Sequence, residues 1–179
     1  IAGIGFMGWM HYLAYRERDD IQVTALCTRN QAKLDGDWTS IQGNFGPPGE
    51  QVDTSAMSKY QEVEALLANP ELDVIDVCLP PHLHKSVCLA ALEAGKHVFC
   101  EWPLGANSAQ ADEMAALARA KGVRTMVGLQ SRYAPSFQYL RQLVDQGYLG
   151  RMLSANMTMF LPGILRPRPE RSIWSAEKV

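Results

Sequence analysis

The sequence predicts an α/β protein: a doubly wound parallel sheet, followed by the start of a second, α+β domain with a mostly antiparallel sheet. Short apolar runs recur about every 25 residues with amphipathic segments between them, as in repeated β-α-β units. A glycine-rich turn, Gly3–Gly8, joins the first apolar run to the first amphipathic segment. Residues Leu153–Met159 then alternate strictly between apolar and polar, which predicts a strand with one buried face.

The composition is that of an ordinary globular protein. Of the 179 residues, 47% are hydrophobic and 20% are charged, and the net charge is −2. Nucleic-acid-binding domains usually carry a basic excess, so we expect no direct contact with nucleic acid. No apolar run reaches the ~18 residues of a transmembrane helix, so we expect no membrane association. Four cysteines without a CxxC pair favour buried thiols in a reducing cytoplasm over disulfides or a metal site: Cys27, Cys78, Cys88 and Cys100.

The first third of the chain predicts two strands, one helix and a long irregular segment. Ile1–Gly5 is expected to end a buried strand that is incomplete, as if the chain were a fragment of something longer. A helix should follow to about Arg18, and Val23–Cys27 should form the second strand. Residues Asp35–Ser58 show no helical period and are rich in glycine and proline, so we expect a cofactor-side lid or a disordered loop.

The later elements alternate regularly, with prolines at helix starts and glycines at helix ends. Apolar spacing predicts helices over Glu62–Ala68, from Pro81 to Gly95, from Asn107 or Ser108 to Gly122, and around Phe137–Val144. Apolar runs predict strands over Val74–Leu79, His97–Cys100 and Thr125–Leu129. The predicted domains are 1–148 and the start of a C-terminal domain, 149–179.

The turn after the first strand has the pattern G-x-G-x-x-G and predicts a dinucleotide site. Gly3 permits the tight turn, Gly5 lets the backbone approach a pyrophosphate, and Gly8 lets the helix pack against the strand. The following helix N-terminus offers free N–H groups to the phosphates, beside Phe6 and Met7. The alternative is a purely structural turn, because glycines also mark ordinary turns.

The segment after the second strand discriminates between the two nicotinamide dinucleotides. An acidic residue about 20 positions after the glycines would bind the ribose 2′-hydroxyl of NAD. Thr28 and Arg29 stand there instead, and a hydroxyl with a guanidinium suits a 2′-phosphate, which favours NADP over NAD. The alternative is that Arg29 is a solvated residue at the start of the next helix.

Four segments together resemble the glucose–fructose oxidoreductase and inositol dehydrogenase family (Gfo/Idh/MocA): Gly3–Gly8, Asp73–His84, Ala94–Leu104 and Arg132–Pro135. The similarity covers about residues 1–160. The resemblance implies a Rossmann-type nucleotide-binding domain, an α/β second domain, NAD(P) as the cofactor, and a sugar or polyol substrate.

Further site residues are carried over from this resemblance. Leu79, Pro80, His82 and His84 would lie beside the cofactor at the end of a parallel strand, where such sheets bind ligands. Glu101 matches the acid of the family's E-K-P motif, which sits by the nicotinamide. The remaining candidates are Trp102 and Gln130 on the cofactor side and Arg132 and Tyr133 on the substrate side. The two histidines could instead cap and pack a helix start, and a zinc site is disfavoured because no third ligand has suitable spacing.

Trp102 is the main departure from the family pattern. Family enzymes have a lysine there that binds substrate and helps move the hydroxyl proton, and an indole N–H cannot replace it. No general base is therefore visible in this chain, and the catalytic residues stay unknown. The E-W-P variant resembles the branch of the galactose-regulon repressor, whereas Asp37–Trp38 and Gln42–Pro47 are similar to family enzymes that carry the lysine. A natural mosaic and an assembled sequence would both explain this.

Three functions follow as hypotheses. The first is an NAD(P)-dependent oxidoreductase acting on the CH–OH group of a sugar or polyol in the cytoplasm, and it is the one we favour. The second is a non-catalytic dinucleotide-binding regulator that acts through a protein partner. The third is a structural domain without a cofactor. The alternating strand also suggests a sheet face through which the protein could form a homo-oligomer.

Overall fold

A computed structural model describes residues 1–43 and 45–158, which fall into two compact units that divide after Gly128. The first unit begins with α1 (Phe6–Arg16), β1 (Ala25–Cys27), α2 (Gln31–Leu34), β2 (Ser58–Tyr60) and α3 (Val63–Leu67). It continues with β3 (Val74–Val77), α4 (Pro81–Glu93), β4 (His97–Glu101), α5 (Ser108–Lys121) and β5 (Thr125–Gly128). The predicted alternation of strands and helices is confirmed. The short strand β2 had no signal in the sequence.

The strands of the first unit are parallel and doubly wound. β1 pairs with β2, and β3 pairs with β4, which pairs with β5. Ala2 joins the two groups, because it bridges Cys27 at the end of β1 and Val77 at the end of β3. After Ala2 the chain forms β1 and β2 on one side of this residue. It then crosses over and forms β3, β4 and β5 on the other side. The strand order reverses at Ala2, which is where such sheets open a ligand crevice.

Helix boundaries follow from capping. The Asn107 side chain accepts a hydrogen bond from the Gln110 N–H and so starts α5, and Gly122, with a left-handed φ of 66°, ends it. Pro81 opens α4, where its missing N–H has no helical partner to lose. Both boundaries are as predicted.

The long segment between α2 and β2 packs into the interior. Trp38, Ile41 and Val52 are buried with Trp9 and Leu34 in a hydrophobic core of their own, separate from the core under β3 and β4. The Trp38 indole N–H donates to the Lys33 carbonyl at 2.7 Å. The expectation of a disordered loop is therefore wrong for the described residues of this segment. Its few large side chains anchor it without any helical or strand period.

An apolar groove of about 820 Å³ lies between the two strand groups. Thr24 and Ala25 line the groove on one side, and Val74 and Ile75 line it on the other. Ile1, the neighbour of Ala2 in the chain, also lines it. The N-terminal ammonium donates to the Ala25 carbonyl, as a strand residue would. Ile1 and Gly3 hydrogen-bond to β1 and its end, and Ala2 hydrogen-bonds to Asp76 and Cys78 on the other side, so these three residues occupy the centre of the sheet.

The second unit, as far as it is described, contains a 3₁₀ helix (Gln130–Tyr133) and α6 (Pro135–Asp145). The strand predicted at Leu153–Met159 is wrong for residues 153–158, which are exposed and irregular, and Met159 lies outside the described residues. Alternation makes a strand only where a neighbouring strand accepts its backbone hydrogen bonds. The domain boundary at residue 148 stays a prediction.

Two further expectations from the sequence concern the state of the cysteines and the presence of a membrane-spanning helix. All four cysteines are free, and Cys27, Cys88 and Cys100 are buried while Cys78 is partly buried. Within the described residues, no helix combines the length and the apolar character needed to cross a bilayer.

Candidate functional site

The glycine turn has the geometry of a close strand–helix junction. Gly3 has a φ of +98°, and a Cβ there would lie 2.5 Å from the Cys78 carbonyl oxygen. A Cβ on Gly8 would lie 2.2 Å from the Gly3 oxygen, so α1 packs directly on the turn. A Cβ on Gly5, the N-cap of α1, would meet nothing within 4 Å. The backbone at Gly5 therefore faces open space, at a helix N-terminus that attracts anions.

Gly8 and Gly5 of the turn give a matched pair of variants. We expect Gly8→Ala to lower the free energy of unfolding by roughly 3 kcal/mol or more, because backbone atoms must shift to admit the methyl group. Gly5→Ala should change it by less than about 1 kcal/mol, because its φ of −103° suits alanine and the space is open. Urea unfolding of both variants checks this. Equal losses would contradict the close packing at Gly8.

A cleft of about 510 Å³ opens at the carboxyl ends of β1 and β3. Five predicted residues line it together: Gly3, Thr28, Arg29, Leu79 and His82. The cleft thus lies at the point where the strand order reverses. Phe6 packs edge-on against Phe45 at 4.8 Å between ring centroids, and Met7 is half-buried on α1.

An acidic side chain that sequence reasoning missed stands beside Arg29. Glu62, at the start of α3, lies 3.9 Å from the Arg29 guanidinium and also lines the cleft. Both side chains are mostly exposed, so solvent screens the pair and its contribution to stability is small. A phosphate at Arg29 would compete with this carboxylate.

Lys33 is a second residue that the sequence did not indicate. Its ammonium donates to the Ile4 carbonyl inside the glycine turn. Burial lowers the pKa of this lysine, since a charged ammonium loses solvation there. A lysine of α2 therefore binds the backbone of the glycine turn through this hydrogen bond.

His84 lies inside the fold. The side chain is buried, and its ring nitrogens face the Leu79 carbonyl at 2.6 Å and the Pro103 carbonyl at 2.8 Å. It thus connects the chain after β3 to the chain after β4. Pro80, which was also predicted to lie beside the cofactor, is the N-cap of α4. The packing alternative weighed for the two histidines matches this position of His84, whereas His82 faces the cleft.

A buried polar cluster lies under the ends of β3 and β4. His11 on α1 contacts Asp76 of β3 through Nδ1 at 3.0 Å and Glu101 of β4 through Nε2 at 3.0 Å. The Tyr15 hydroxyl donates to Asp76 at 3.1 Å, and the Cys78 sulfur lies 3.2 Å from His11 Nδ1. We call these five residues the His11 cluster. A charged residue in the otherwise apolar strand β3 was the sequence signal that could have revealed it.

The charges of the cluster follow from its contacts. Burial alone would lower the pKa of His11, but the hydrogen bonds to Asp76, Cys78 and Glu101 outweigh it and raise the pKa to about 12. Burial raises the pKa of the Cys78 thiol to about 12, and burial with the neighbouring Asp76 raises that of Tyr15. His11 therefore carries two N–H donors between two carboxylates at neutral pH.

His11, Asp76 and Cys78 also place three potential metal ligands within 4.8 Å of one another, the one such grouping found among residues 1–43 and 45–158. A metal would need the lone pair of Nδ1, which the proton occupies in this network.

Glu101 and Trp102 point in different directions at the end of β4. The Glu101 side chain is buried against Gly128, where an added Cβ would lie 2.1 Å from its Oε1. The Trp102 side chain is 65% exposed, and the peptide bond to Pro103 is cis. The remaining predicted residues, Gln130, Arg132 and Tyr133, lie on the 3₁₀ helix of the second unit. Their roles, like those of the other site residues, stay predictions.

Comparison with known proteins gives consistent results. The sequence profile of an oxidoreductase family with an NAD-binding Rossmann fold, GFO_IDH_MocA, matches residues 1–129. The dehydrogenase aclE of Aspergillus oryzae is 38% identical over 98 residues, 55% of this chain and 27% of that protein. The levoglucosan dehydrogenase of Pseudarthrobacter phenanthrenivorans is 32% identical over 90 residues, 50% of this chain and 23% of that protein.

Solved structures agree with the fold. The crystal structure of an NAD-binding oxidoreductase from Klebsiella pneumoniae is 34% identical and superposes with a TM-score of 0.68, covering 83% of this chain and 38% of that one. The chain thus spans between 23% and 38% of the length of these three proteins.

Proposed function

This chain belongs to the GFO_IDH_MocA oxidoreductase family, and from that premise we propose that its protein transfers hydride between NADP and the CH–OH group of a sugar or polyol. The cleft at the strand reversal carries the proposal. It is lined by Gly3 of the glycine turn and by the Thr28–Arg29 pair, and the open Gly5 backbone at the N-terminus of α1 follows two residues after Gly3 in the same turn. The levoglucosan dehydrogenase among the relatives supports a sugar as the substrate.

The residues present fit a dinucleotide. A pyrophosphate needs backbone N–H donors and room for close approach, and the turn provides both at Gly5, where no atom lies within 4 Å of an added Cβ. Arg29 would pair with a 2′-phosphate, and Thr28 would donate its hydroxyl to the same group. When bound, the nicotinamide would accept or supply the hydride.

The proton of the reaction needs a separate carrier. In the resemblance to the family's E-K-P motif, Trp102 takes the place of the lysine, and its indole N–H donates without titrating. We therefore assign the proton transfer to water or to a residue of the whole protein outside residues 1–179. A mostly exposed Trp102 at the end of β4 also supports the second candidate, a regulator that binds dinucleotide and a protein partner but does not turn over sugar.

Thermal unfolding with NADP(H) and NAD(H) tests the cofactor assignment. A ligand at ~100 times its dissociation constant stabilises by ~2.7 kcal/mol, which raises the midpoint by several degrees. We expect NADP to shift the midpoint more than NAD. Arg29→Ala should remove that difference, and Gly5→Ala should fold normally but lose most of the shift with either ligand. The absence of a shift with both dinucleotides in the unchanged protein would refute the cofactor and the function together.

Trp102→Lys separates the two candidate functions. In an enzyme, a lysine at this position adds a proton carrier and should change kcat or its pH profile with a sugar or polyol. In a regulator, the variant should still bind dinucleotide and show no steady-state turnover. The measurement is reduction of NADP in the presence of a panel of sugars and polyols.

The cellular setting belongs to the same proposal. Four free cysteines support a reducing cytoplasm. A small-molecule substrate without direct nucleic-acid contact agrees with the net charge of −2. Formation of a homo-oligomer through the C-terminal domain is part of the proposal and is checked by light scattering.

A further inference from the structure

We propose that His11 is a positioning residue for the nicotinamide end of the cofactor site, where it holds Glu101 and so fixes the turn that carries Trp102. This inference rests on the proposed dinucleotide function. His11 lies on α1 next to the carboxyl ends of β3 and β4, and it does not line the cleft near Thr28 and Arg29. It acts through the backbone of β4.

The first step is the geometry of the clamp. His11 comes from the middle of α1, and its ring stacks on Phe99 of β4 with centroids 4.9 Å apart and planes 8° from parallel. The stack orients the ring so that Nδ1 meets Asp76 and Nε2 meets Glu101, each at 3.0 Å. One side chain thus ties α1 to the ends of two neighbouring strands.

The second step is charge. Asp76 and Glu101 are both buried, and they lie near the carboxyl ends of adjacent parallel strands, Asp76 one residue before the end of β3 and Glu101 at the end of β4. Two buried carboxylates repel each other and lose solvation unless a cation with donors stands between them. His11 supplies that cation with one N–H for each carboxylate. Its removal would leave the Glu101 carboxylate free to turn away from the interior.

The third step connects Glu101 with the site. The Glu101 side chain fills the space between His11 and Gly128, where no Cβ intervenes. The next residue is Trp102, whose indole is exposed, so the backbone that orients the indole is held by the buried Glu101 side chain. A reoriented Glu101 would therefore move Trp102.

The fourth step identifies which half of a dinucleotide would respond. The adenosine ribose binds after the second strand of such a fold, which corresponds to Thr28 and Arg29 at the end of β1. The nicotinamide half then lies across the strand reversal, at the ends of β3 and β4. Asp76 and Glu101 of the His11 cluster lie under this second half, whereas the backbone of Cys78 also contacts Gly3 of the glycine turn.

The test compares NADP with 2′-phospho-ADP-ribose, which is the same molecule without its nicotinamide ring. We expect His11→Gln to weaken binding of NADP about tenfold, because a charge-assisted hydrogen bond that holds the site is lost. Binding of 2′-phospho-ADP-ribose, which lacks nicotinamide, should stay within about twofold. Calorimetric titration of both ligands gives the two ratios. Tyr15→Phe serves as the matched control, since it removes a hydrogen bond to Asp76 but keeps the His11–Glu101 contact.

Each outcome decides a separate point. Equal weakening of both ligands, or of neither, would overturn the positioning role and leave a structural one. Failure of the unchanged protein to bind either ligand would instead refute the proposed function. If His11→Gln does not fold, Glu101→Gln carries the test, because it removes the carboxylate charge from the same contact and leaves a neutral amide oxygen as the weaker acceptor. A double variant that is no worse than either single variant would show that the two residues act as one unit.

Discussion

Replacing Trp38 by alanine will lower the free energy of unfolding by about 3–5 kcal/mol. Trp38 is 0% exposed, although it lies in a segment without helices or strands. Its indole meets Trp9 and Tyr12 edge-on at 5.8 and 5.0 Å between ring centroids, and it donates to the Lys33 carbonyl. The variant would lose all of these contacts and leave a large cavity. Urea unfolding followed by circular dichroism measures the loss.

Trp102→Ala is the matched control for this prediction. Its side chain is 65% exposed, so the same change of residue type should alter stability by no more than about 0.5 kcal/mol. Similar losses in the two variants would contradict the separate core under the loop. A small loss at Trp38 would show that the loop does not hold that core together.

The stability of the unchanged protein relative to His11→Gln will fall as the pH rises from about 7 to 9. The pKa of His11 is about 12 in the folded protein and 6.5 in the unfolded chain. A raised folded pKa stabilises fully below pH 6.5, and this contribution is lost as the pH rises toward 12. Between these values the slope approaches one proton, or ~1.4 kcal/mol per pH unit. Urea unfolding at pH 7, 8 and 9 gives the difference.

Other titratable groups near His11 also make the free energy of unfolding depend on pH, mostly outside the range from pH 7 to 9. The raised pKa values of Cys78 and Tyr15 would add losses of the same sign above pH 9, outside the window. A difference that stays constant from pH 7 to 9 would mean that His11 is not held protonated by Asp76 and Glu101.

Local patterns account for the elements that were predicted correctly. The glycines of Gly3–Gly8, the proline that opens α4 and the Asn107 cap each act within one or two turns of the chain. The segment before β2 gave no such signal, because a buried Trp38 among irregular residues has no period. At Leu153–Met159 a strand was predicted that residues 153–158 do not form. Their apolar and polar residues alternate as in a strand, but no neighbouring strand among the described residues pairs with them.

The sequence by itself determined the alternation of strands and helices, the glycine turn and the family to which the chain belongs, because each depends on residues close together in the chain. Only the tertiary structure decided the partners of His11, which lie 65 and 90 positions away in Asp76 and Glu101. It also decided that Glu62 stands beside Arg29 and that His84 faces two backbone carbonyls. Contacts over such separations form only when strands of fixed register bring their ends together, and no local pattern of residue types encodes that register.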